Sequence, residues 1–290
     1  TAVEEKVTGV RPETVAVTND TFLTVLKLME EFEDFCFTQS QASVYEIARR
    51  YLPEMFEQIR QRVAEGRWEI AAAHWVEGDK NLAGGESIAR HLLYTRAYMR
   101  EQFGLEPEDL PLDWEPDTFG HAATIPSIVS RGAVSRYYMC RGGAFEKPPV
   151  FWWKGPDGSR ILVNLETTWY NGHITPDNAM AMLRFCEKTG LRDWLNIYGV
   201  GDHGGGPTRR DLLRCRDMDA WPIFPNFRFA TTRGYYETLE AHGEDLPELE
   251  GELNFEFTGC YSSQSRIKQA VQYGERHLLE AETAAAFAGA

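Results

Sequence analysis

Residues 110–121 read LPLDWEPDTFGH and carry the clearest indication of the fold. Residues 110–114, apolar except for Asp113, predict a short strand, and residues 122–130 predict a helix. Between them, three carboxylates, two aromatic rings and a histidine lie within the nine residues from Asp113 to His121. Polar side chains at the carboxyl end of a strand are typical of functional sites in α/β proteins. The stretch therefore predicts an α/β fold with a site in this loop, although Asp117 or Thr118 could instead cap the helix.

Short apolar runs alternate with amphipathic stretches along the rest of the chain, which predicts a mostly parallel sheet with crossover helices. The predicted strands are residues 35–38, 68–75, 110–114, 137–141, 195–200, 227–230 and 253–257. The predicted helices are residues 21–32, 42–65 with a break at Pro53, 87–103, 122–130, 175–188, a segment from Thr208, 234–241 and 262–287. The turn sequence Gly155-Pro156-Asp157-Gly158 lies between two apolar runs and predicts a β-hairpin.

Composition excludes several classes of protein. The 290 residues carry a formal net charge of −14, which argues against a general nucleic-acid binder because phosphates would be repelled. Hydrophobic residues make up 43% of the chain, enough for a large core, so a disordered tail is excluded. No apolar run approaches the roughly 18 residues that a membrane span needs. The five scattered cysteines form no C-x-x-C pair, which favours free thiols and a cytoplasmic location.

The length fits two domains, or one α/β barrel of about 250 residues with an extension. The chain begins at Thr1 rather than Met and ends in a helical pattern, so we expect a piece of a longer protein. The most linker-like stretch is residues 242–252, which are acidic and contain Gly and Pro.

A second group of polar residues lies in the glycine-rich stretch 198–208, YGVGDHGGGPT. Gly199, Gly201 and Gly204 satisfy the G-x-G-x-x-G pattern of dinucleotide-binding loops. The carboxylate of Asp202 would repel phosphates there, and a proline at 207 removes an amide donor. We therefore interpret the stretch as a loop that presents Asp202 and His203 to a cleft, with a plain flexible loop as the alternative.

Three further positions are candidates for a site. The stretch 74–81, HWVEGDKN, places Trp75 and two carboxylates, including Asp79, after a strand; sugar sites combine these groups, but a solvated loop is equally consistent. Tyr261 lies in the polar stretch 258–264 before the last helix, where it could line a cleft or help to cap that helix. Arg141 ends a strand and would bind an anion or a hydroxyl, or form a surface ion pair. Paired-histidine metal motifs and the G-x-S-x-G elbow are absent from the sequence.

Four stretches together resemble family 38 glycoside hydrolases, the α-mannosidases. They are FTQSQASVYE (37–46), GRWEIAAAHWVEGDKNLAGGESIARHLLY (66–94), WEPDTFGHAATIPSI (114–128) and GELNFEFTGCYSSQSRIK (251–268). The resemblance implies a barrel-like (β/α)7 catalytic domain over residues 1–258, with its first strand missing. It also implies that residues 259–290 form the first helix of a truncated helical bundle.

The resemblance also implies roles for individual residues. Asp117 matches the catalytic nucleophile, which also binds a divalent metal, usually Zn²⁺, and Arg141 matches a sugar-contacting arginine. Asp202 is the expected acid/base of a retaining mechanism, in which two carboxylates lie about 5–5.5 Å apart. The expected substrate is an α-mannoside or oligosaccharide, with no nucleic-acid or membrane partner, and homo-oligomer formation is left open. The other expected substrate contacts are Trp75, Asp79, Phe119, His203 and Tyr261.

The sequence departs from the family pattern at the metal site. The family's His-x-Asp pair is absent from residues 1–7, TAVEEKV, and a further ligand histidine expected beyond the last helix is absent too. We therefore expect this chain alone to bind metal poorly and to turn over weakly or not at all, with activity in the full-length parent. Two alternatives remain: a non-catalytic carbohydrate-binding module, and a nucleotide-binding oxidoreductase that uses the loop from Gly199 to Gly204.

Overall fold

The computed structural model describes residues 12–143, 147–201, 204–243, 245–254 and 256–289. Over these residues the chain forms an α/β fold with a two-stranded parallel sheet and a five-stranded mixed sheet. The strands are β1 Phe37–Gln39, β2 Trp68–Ile70, β3 Leu112–Glu115, β4 Arg136–Met139, β5 Val150–Lys154, β6 Arg160–Leu165 and β7 Glu248–Glu250. The helices are α1 Pro12–Glu31, α2 Ala42–Tyr51, α3 Pro53–Ala64, α4 Gly85–Phe103, α5 Ile125–Val129, α6 Asp177–Thr189, α7 Arg209–Asp219, α8 Thr232–Glu240, α9 Gly259–Ser262 and α10 Ser265–Gly289. None of these described helices is both long and apolar enough to cross a membrane.

The sheet topology confirms the predicted strand–helix alternation. Strands β1 and β2 pair in parallel as a separate two-stranded sheet. The larger sheet has the order β3-β4-β6-β5-β7, and its β5–β6 pair is the predicted antiparallel hairpin. The other strand pairs in the described part of the chain are parallel. The predicted break at Pro53 is also confirmed, because α2 ends at Tyr51 and α3 begins at Pro53.

Three predicted strands are wrong. Residues 195–200 form only isolated bridges, from Gly199 to Gly172 and from Val200 to Gly206, because glycines with positive φ turn the backbone away from a sheet. Residues 227–230 are irregular, and their aromatic side chains instead pack on Cys215 and Met218 of α7. Residues 253–257 contribute a single bridge from Leu253 to His121 within the described residues.

Two clusters of the core are built around a buried tryptophan. In the first, the Trp68 ring meets Phe22 and Phe37 edge-on, and its indole N–H donates to the Tyr45 hydroxyl at 3.0 Å. Five apolar residues at helix spacing are buried in this cluster: Phe22, Val25, Leu26, Met29 and Phe32, the last directly after α1. In the second, Trp153 packs edge-on against Tyr137 beneath the larger sheet.

Backbone bridges bring three loops together at the carboxyl ends of the strands. His121, after β3, bridges to Lys80, which lies between β2 and α4, and to Leu253, which lies after β7. The His121 ring is fully buried, and its Nδ1 lies 2.8 Å from the Tyr137 hydroxyl. The loops that follow β2 and β3 are therefore fixed side by side.

The buried His121 ring predicts a pH-dependent stability. Burial lowers the pKa of His121 to about 3, against about 6.5 in an unfolded chain. Between these values the unfolded state binds a proton that the folded state does not, so stability falls with falling pH by about 1.4 kcal/mol per pH unit. We expect His121→Gln to remove this component, so that wild type loses about 2 kcal/mol more than the variant between pH 7 and pH 5.

Urea unfolding at both pH values measures the difference between the two proteins. His277→Gln is the control, because His277 lies on α10 with two-thirds of its side chain exposed. Equal pH dependence in wild type and His121→Gln would contradict a neutral buried imidazole.

Candidate active site

An ion pair joins the ends of β3 and β4. The Arg141 guanidinium reaches Asp117 Oδ1 from Nε at 2.6 Å and from a terminal nitrogen at 2.5 Å. The two residues come together because β3 and β4 are parallel neighbours, so their carboxyl ends lie at the same edge. The Arg141 side chain is 11% exposed and that of Asp117 is 46% exposed, so the carboxylate faces solvent while the arginine lies behind it.

Four aromatic rings surround the Arg141 guanidinium. Its central carbon lies 5.0–5.9 Å from the ring centroids of Phe119, Trp169, Tyr170 and Phe257. Cation–π contacts at such distances fix the orientation of a guanidinium. Burial, together with a hydrogen bond to Asp117, raises the pKa of Tyr170 to about 12, so its hydroxyl keeps its proton at neutral pH. These four rings, the aromatic cage, therefore hold the Arg141 guanidinium in one orientation towards Asp117.

Two carboxylates bind the Asp117–Thr118 turn, Glu77 through backbone amides and Glu115 through the Thr118 side chain. Glu77 Oε1 accepts the N–H groups of Asp117 at 2.6 Å and of Thr118 at 2.8 Å. The Thr118 hydroxyl donates to Glu115 Oε2 at 2.7 Å. Neither Asp117 nor Thr118 caps a helix, because α5 begins only at Ile125. The capping interpretation of this pair is therefore wrong.

A buried charge cluster lies beneath this turn. Lys80 Nζ lies 2.6 Å from Glu115 Oε1 and 3.9 Å from Asp113 Oδ2, and His74 Nδ1 lies 2.8 Å from Asp113 Oδ1. All four side chains are at most 4% exposed. Burial raises the pKa of Glu115 to about 7 and lowers that of His74 to about 3. Burial opposes the charge on Lys80, but Asp113 and Glu115 raise its pKa above the ordinary value. The ammonium is therefore the counter-ion of the buried carboxylates.

The same cluster is a candidate metal site. Ligand atoms of His74, Asp113 and Glu115 lie within 4.8 Å of one another. Lys80 Nζ already lies among them, 3.4 Å from His74 Nδ1, so a divalent ion would have to displace a paired ammonium. The cluster does not fit a metal while Lys80 is charged. Asp117, the predicted ligand, belongs to no such group of three among the described residues.

A cavity of about 520 Å³ opens beside Asp117. It is lined by four of the predicted site residues, Asp79, Asp117, Phe119 and Tyr261, and by Glu77, and α10 closes one side with apolar residues that include Ile267 and Val271. Asp79 Oδ1 also accepts the backbone N–H groups of Asn81 and Leu82 and so shapes the loop. The structure thus brings carboxylates, aromatic rings and an apolar wall to one opening.

Trp75 is a predicted site residue that the structure places away from the cavity. Trp75 packs edge-on against Tyr98, with 5.4 Å between the ring centroids, and does not line the cavity. Asp202 and His203 lie outside the described residues. Glu77 is one of the two carboxylates noted in the stretch 74–81, but sequence reasoning assigned it no role. Trp169 and Tyr170 were not predicted as site residues, although they follow the end of β6, where a functional loop is expected.

The buried position of Lys80 predicts a large loss of stability on substitution. Lys80→Met leaves Asp113 and Glu115 buried without their cation, which we expect to cost about 3–5 kcal/mol of the free energy of unfolding. Urea unfolding at pH 7 measures this loss. Lys154→Met is the matched control, because Lys154 pairs with Glu248 and Glu250 at the surface, where such pairs contribute little. Equal stability of the two variants would contradict the role of Lys80 as the buried counter-ion.

Comparison with known proteins identifies relatives over most of the chain. The family described as glycosyl hydrolases family 38 N-terminal domain matches residues 9–252. Alpha-mannosidase G of Dictyostelium discoideum is 30% identical over 90% of this chain and 24% of its own length. Human alpha-mannosidase 2C1 is 29% identical over 93% of this chain and 26% of its own length. The chain therefore spans about a quarter of these relatives.

Solved structures show a similar fold. The crystal structure of an alpha-mannosidase from Enterococcus faecalis V583 superimposes with a TM-score of 0.67 at 22% sequence identity. The match covers 82% of this chain and 28% of the other. At this identity the likeness concerns the arrangement of the backbone.

Proposed function

Because the chain belongs to glycosyl hydrolase family 38, we propose that its parent protein is a retaining α-mannosidase in which Asp117 is the nucleophile. The observation that carries the proposal is the Asp117–Arg141 pair: a half-exposed carboxylate at a strand end, oriented by a caged guanidinium and open to a cavity. Retaining glycosidases need such a fixed carboxylate to attack the anomeric carbon. Curated relatives named alpha-mannosidases support the choice of mannoside as substrate.

In the proposed reaction an Asp117 oxygen bonds to the anomeric carbon while the bond to the leaving oxygen breaks. An acid/base residue protonates the leaving oxygen and then deprotonates the water that releases the sugar. We assign the acid/base role to Asp202 because it lies in the Gly-Asp loop that resembles the family. Arg141 orients the Asp117 carboxylate, and the ring of Phe119 beside it offers an apolar face to sugar C–H groups.

The described residues do not complete a site for the divalent metal that the family implies. Asp117 offers one carboxylate, but the described residues supply no further ligand group around it. The metal, Zn²⁺ by expectation, would need ligands from outside the described residues. The expectation that this chain alone binds metal poorly and turns over weakly stays a prediction for the same reason.

We also propose the domain arrangement implied by the resemblance. Residues 1–258 would be the barrel-like (β/α)7 catalytic domain, and residues 259–290 the first helix of a helical bundle. The contact of α10 with α4 supports a shared border, since Glu275 accepts the N–H of Gly84 at 2.9 Å at the start of α4. Cytoplasmic location and homo-oligomer formation stay predictions.

Substituting the nucleophile should abolish turnover by the parent protein. Asp117→Asn keeps the size of the side chain but loses the attacking charge, so we expect at least a ~10³-fold loss of kcat on an aryl α-mannoside. Asp217→Asn is the control, because Asp217 is exposed on α7, and it should keep full activity. Proton NMR of the first product should show the α anomer. An active Asp117→Asn variant would overturn the assignment, and a β product would overturn retention.

The assignment of Asp202 predicts a dependence on the leaving group. Asp202→Asn should slow hydrolysis of an alkyl α-mannoside at least about tenfold more than that of a nitrophenyl α-mannoside, because the nitrophenolate departs with little protonation. Initial rates on both substrates measure the ratio. An equal loss on both would rule out Asp202 as the acid. A wild-type parent that binds mannose without hydrolysis would instead support the carbohydrate-binding module.

A further inference from the structure

We propose that Glu77 is a positioning residue that places the Asp117 carboxylate through the backbone, a role that rests on the proposed function of Asp117. Glu77 Oε1 receives two successive amides, from Asp117 at 2.6 Å and Thr118 at 2.8 Å. The Thr118 hydroxyl also lies 3.3 Å from the same oxygen. One carboxylate oxygen therefore fixes the backbone of the nucleophile itself.

The partners of Glu77 show that it acts on this backbone and not as one half of an ion pair. Among the described residues, the hydrogen bonds to its carboxylate come from Asp117 and Thr118, and no Lys, Arg or His nitrogen lies within 4.0 Å. A partly buried carboxylate without a neighbouring cation is stabilised by hydrogen-bond donors. The two amides supply them, so the side chain and the turn are ordered together.

Asp117 is thereby held from two directions. Arg141 binds its carboxylate from the β4 side, and Glu77 binds its amide from the loop after β2. The Thr118 hydroxyl, bound to Glu115, fixes the next residue. A side chain held only at its tip can still move with its backbone, so the contact with Glu77 removes the freedom that Arg141 leaves.

The consequence for catalysis is a matter of geometry. Attack needs the carboxylate oxygen about 3–3.5 Å from the anomeric carbon, and a misplacement of about 1 Å costs on the order of 10²-fold in rate. Loss of the contact should therefore lower kcat much more than it raises KM, because the sugar-binding groups remain in place.

Glu69 provides a matched control within the same chain. Its carboxylate also accepts two successive amides, from Thr232 at 2.7 Å and Arg233 at 3.0 Å, at the start of α8. Glu69 belongs to β2 and does not line the cavity beside Asp117. Glu69→Ala and Glu69→Gln therefore measure what losing or keeping such a contact does to the fold alone.

The experiment compares three substitutions of Glu77 in the full-length parent on an aryl α-mannoside. Glu77→Gln keeps an oxygen that accepts both amides and should retain kcat within about threefold of wild type. Glu77→Asp keeps the charge but is one methylene shorter. The Glu77→Asp and Glu77→Ala variants should each lose about 10- to 100-fold in kcat, with KM changed less than about threefold. Both Glu69 variants should keep kcat.

Amide hydrogen exchange of Asp117 and Thr118 gives a readout that does not depend on turnover. Exchange at these amides should accelerate in Glu77→Ala and Glu77→Asp and stay slow in Glu77→Gln and in the Glu69 variants. An active wild type whose Glu77→Ala and Glu77→Asp variants keep full kcat and slow exchange overturns the role of Glu77. A Glu77→Gln variant as inactive as Glu77→Ala also overturns it, in favour of proton transfer by Glu77. An inactive wild type overturns the proposed function itself, whatever the exchange result.

Discussion

The ion pair between Lys80 and Glu115 is the constraint on which the site depends. Lys80 lies in the loop after β2 and Glu115 is the last residue of β3, so the 2.6 Å contact ties that loop to the end of β3. The bridge from Lys80 to His121 ties the same segments through the backbone. Because the pair is buried, it cannot be exchanged for water without a large cost. The Asp117–Thr118 turn rests on this junction through the Thr118 hydroxyl.

The carboxylates of the site have different partners in the buried cluster and at the rim of the cavity. Below the turn, Lys80 neutralises Asp113 and Glu115. At the rim, Arg141 pairs with Asp117. Glu77 lies between these levels with backbone amides as its donors, and burial together with repulsion from Glu115 raises its pKa to about 7. Lys80 thus stabilises the fold, and Arg141 orients the Asp117 carboxylate, the proposed nucleophile.

Strand-end loops could be predicted from the sequence, whereas buried partners could not. Asp117 and Arg141 follow apolar runs, so their meeting at one edge follows from parallel pairing. Lys80 could not be predicted as a core residue, because an isolated lysine in a polar loop is typical of a surface. Trp75 resembles a sugar-stacking residue in sequence but packs on Tyr98 in α4, a contact made across the fold. The prediction of a strand at 195–200 is wrong because it followed the apolar pattern and gave too little weight to the glycines, which adopt positive φ. The role proposed for Glu77 runs through backbone amides, which a search for side-chain motifs does not see.

Carboxylates that accept backbone N–H groups order the backbone around both partners of the Asp117–Arg141 ion pair. Glu77 accepts the amides of Asp117 and Thr118, and Glu166, directly after β6, accepts those of Thr167 and Thr168, each at 2.9 Å. The second contact orders the backbone just before Trp169 and Tyr170, the rings that pack on Arg141. Glu77 therefore orders the backbone of Asp117. Glu166 orders the backbone that precedes two of the aromatic rings around Arg141. Glu77 reaches Asp117 from the loop after β2, whereas Glu166 acts within its own loop after β6. Both contacts therefore order backbone around an ion pair whose two residues follow the parallel strands β3 and β4.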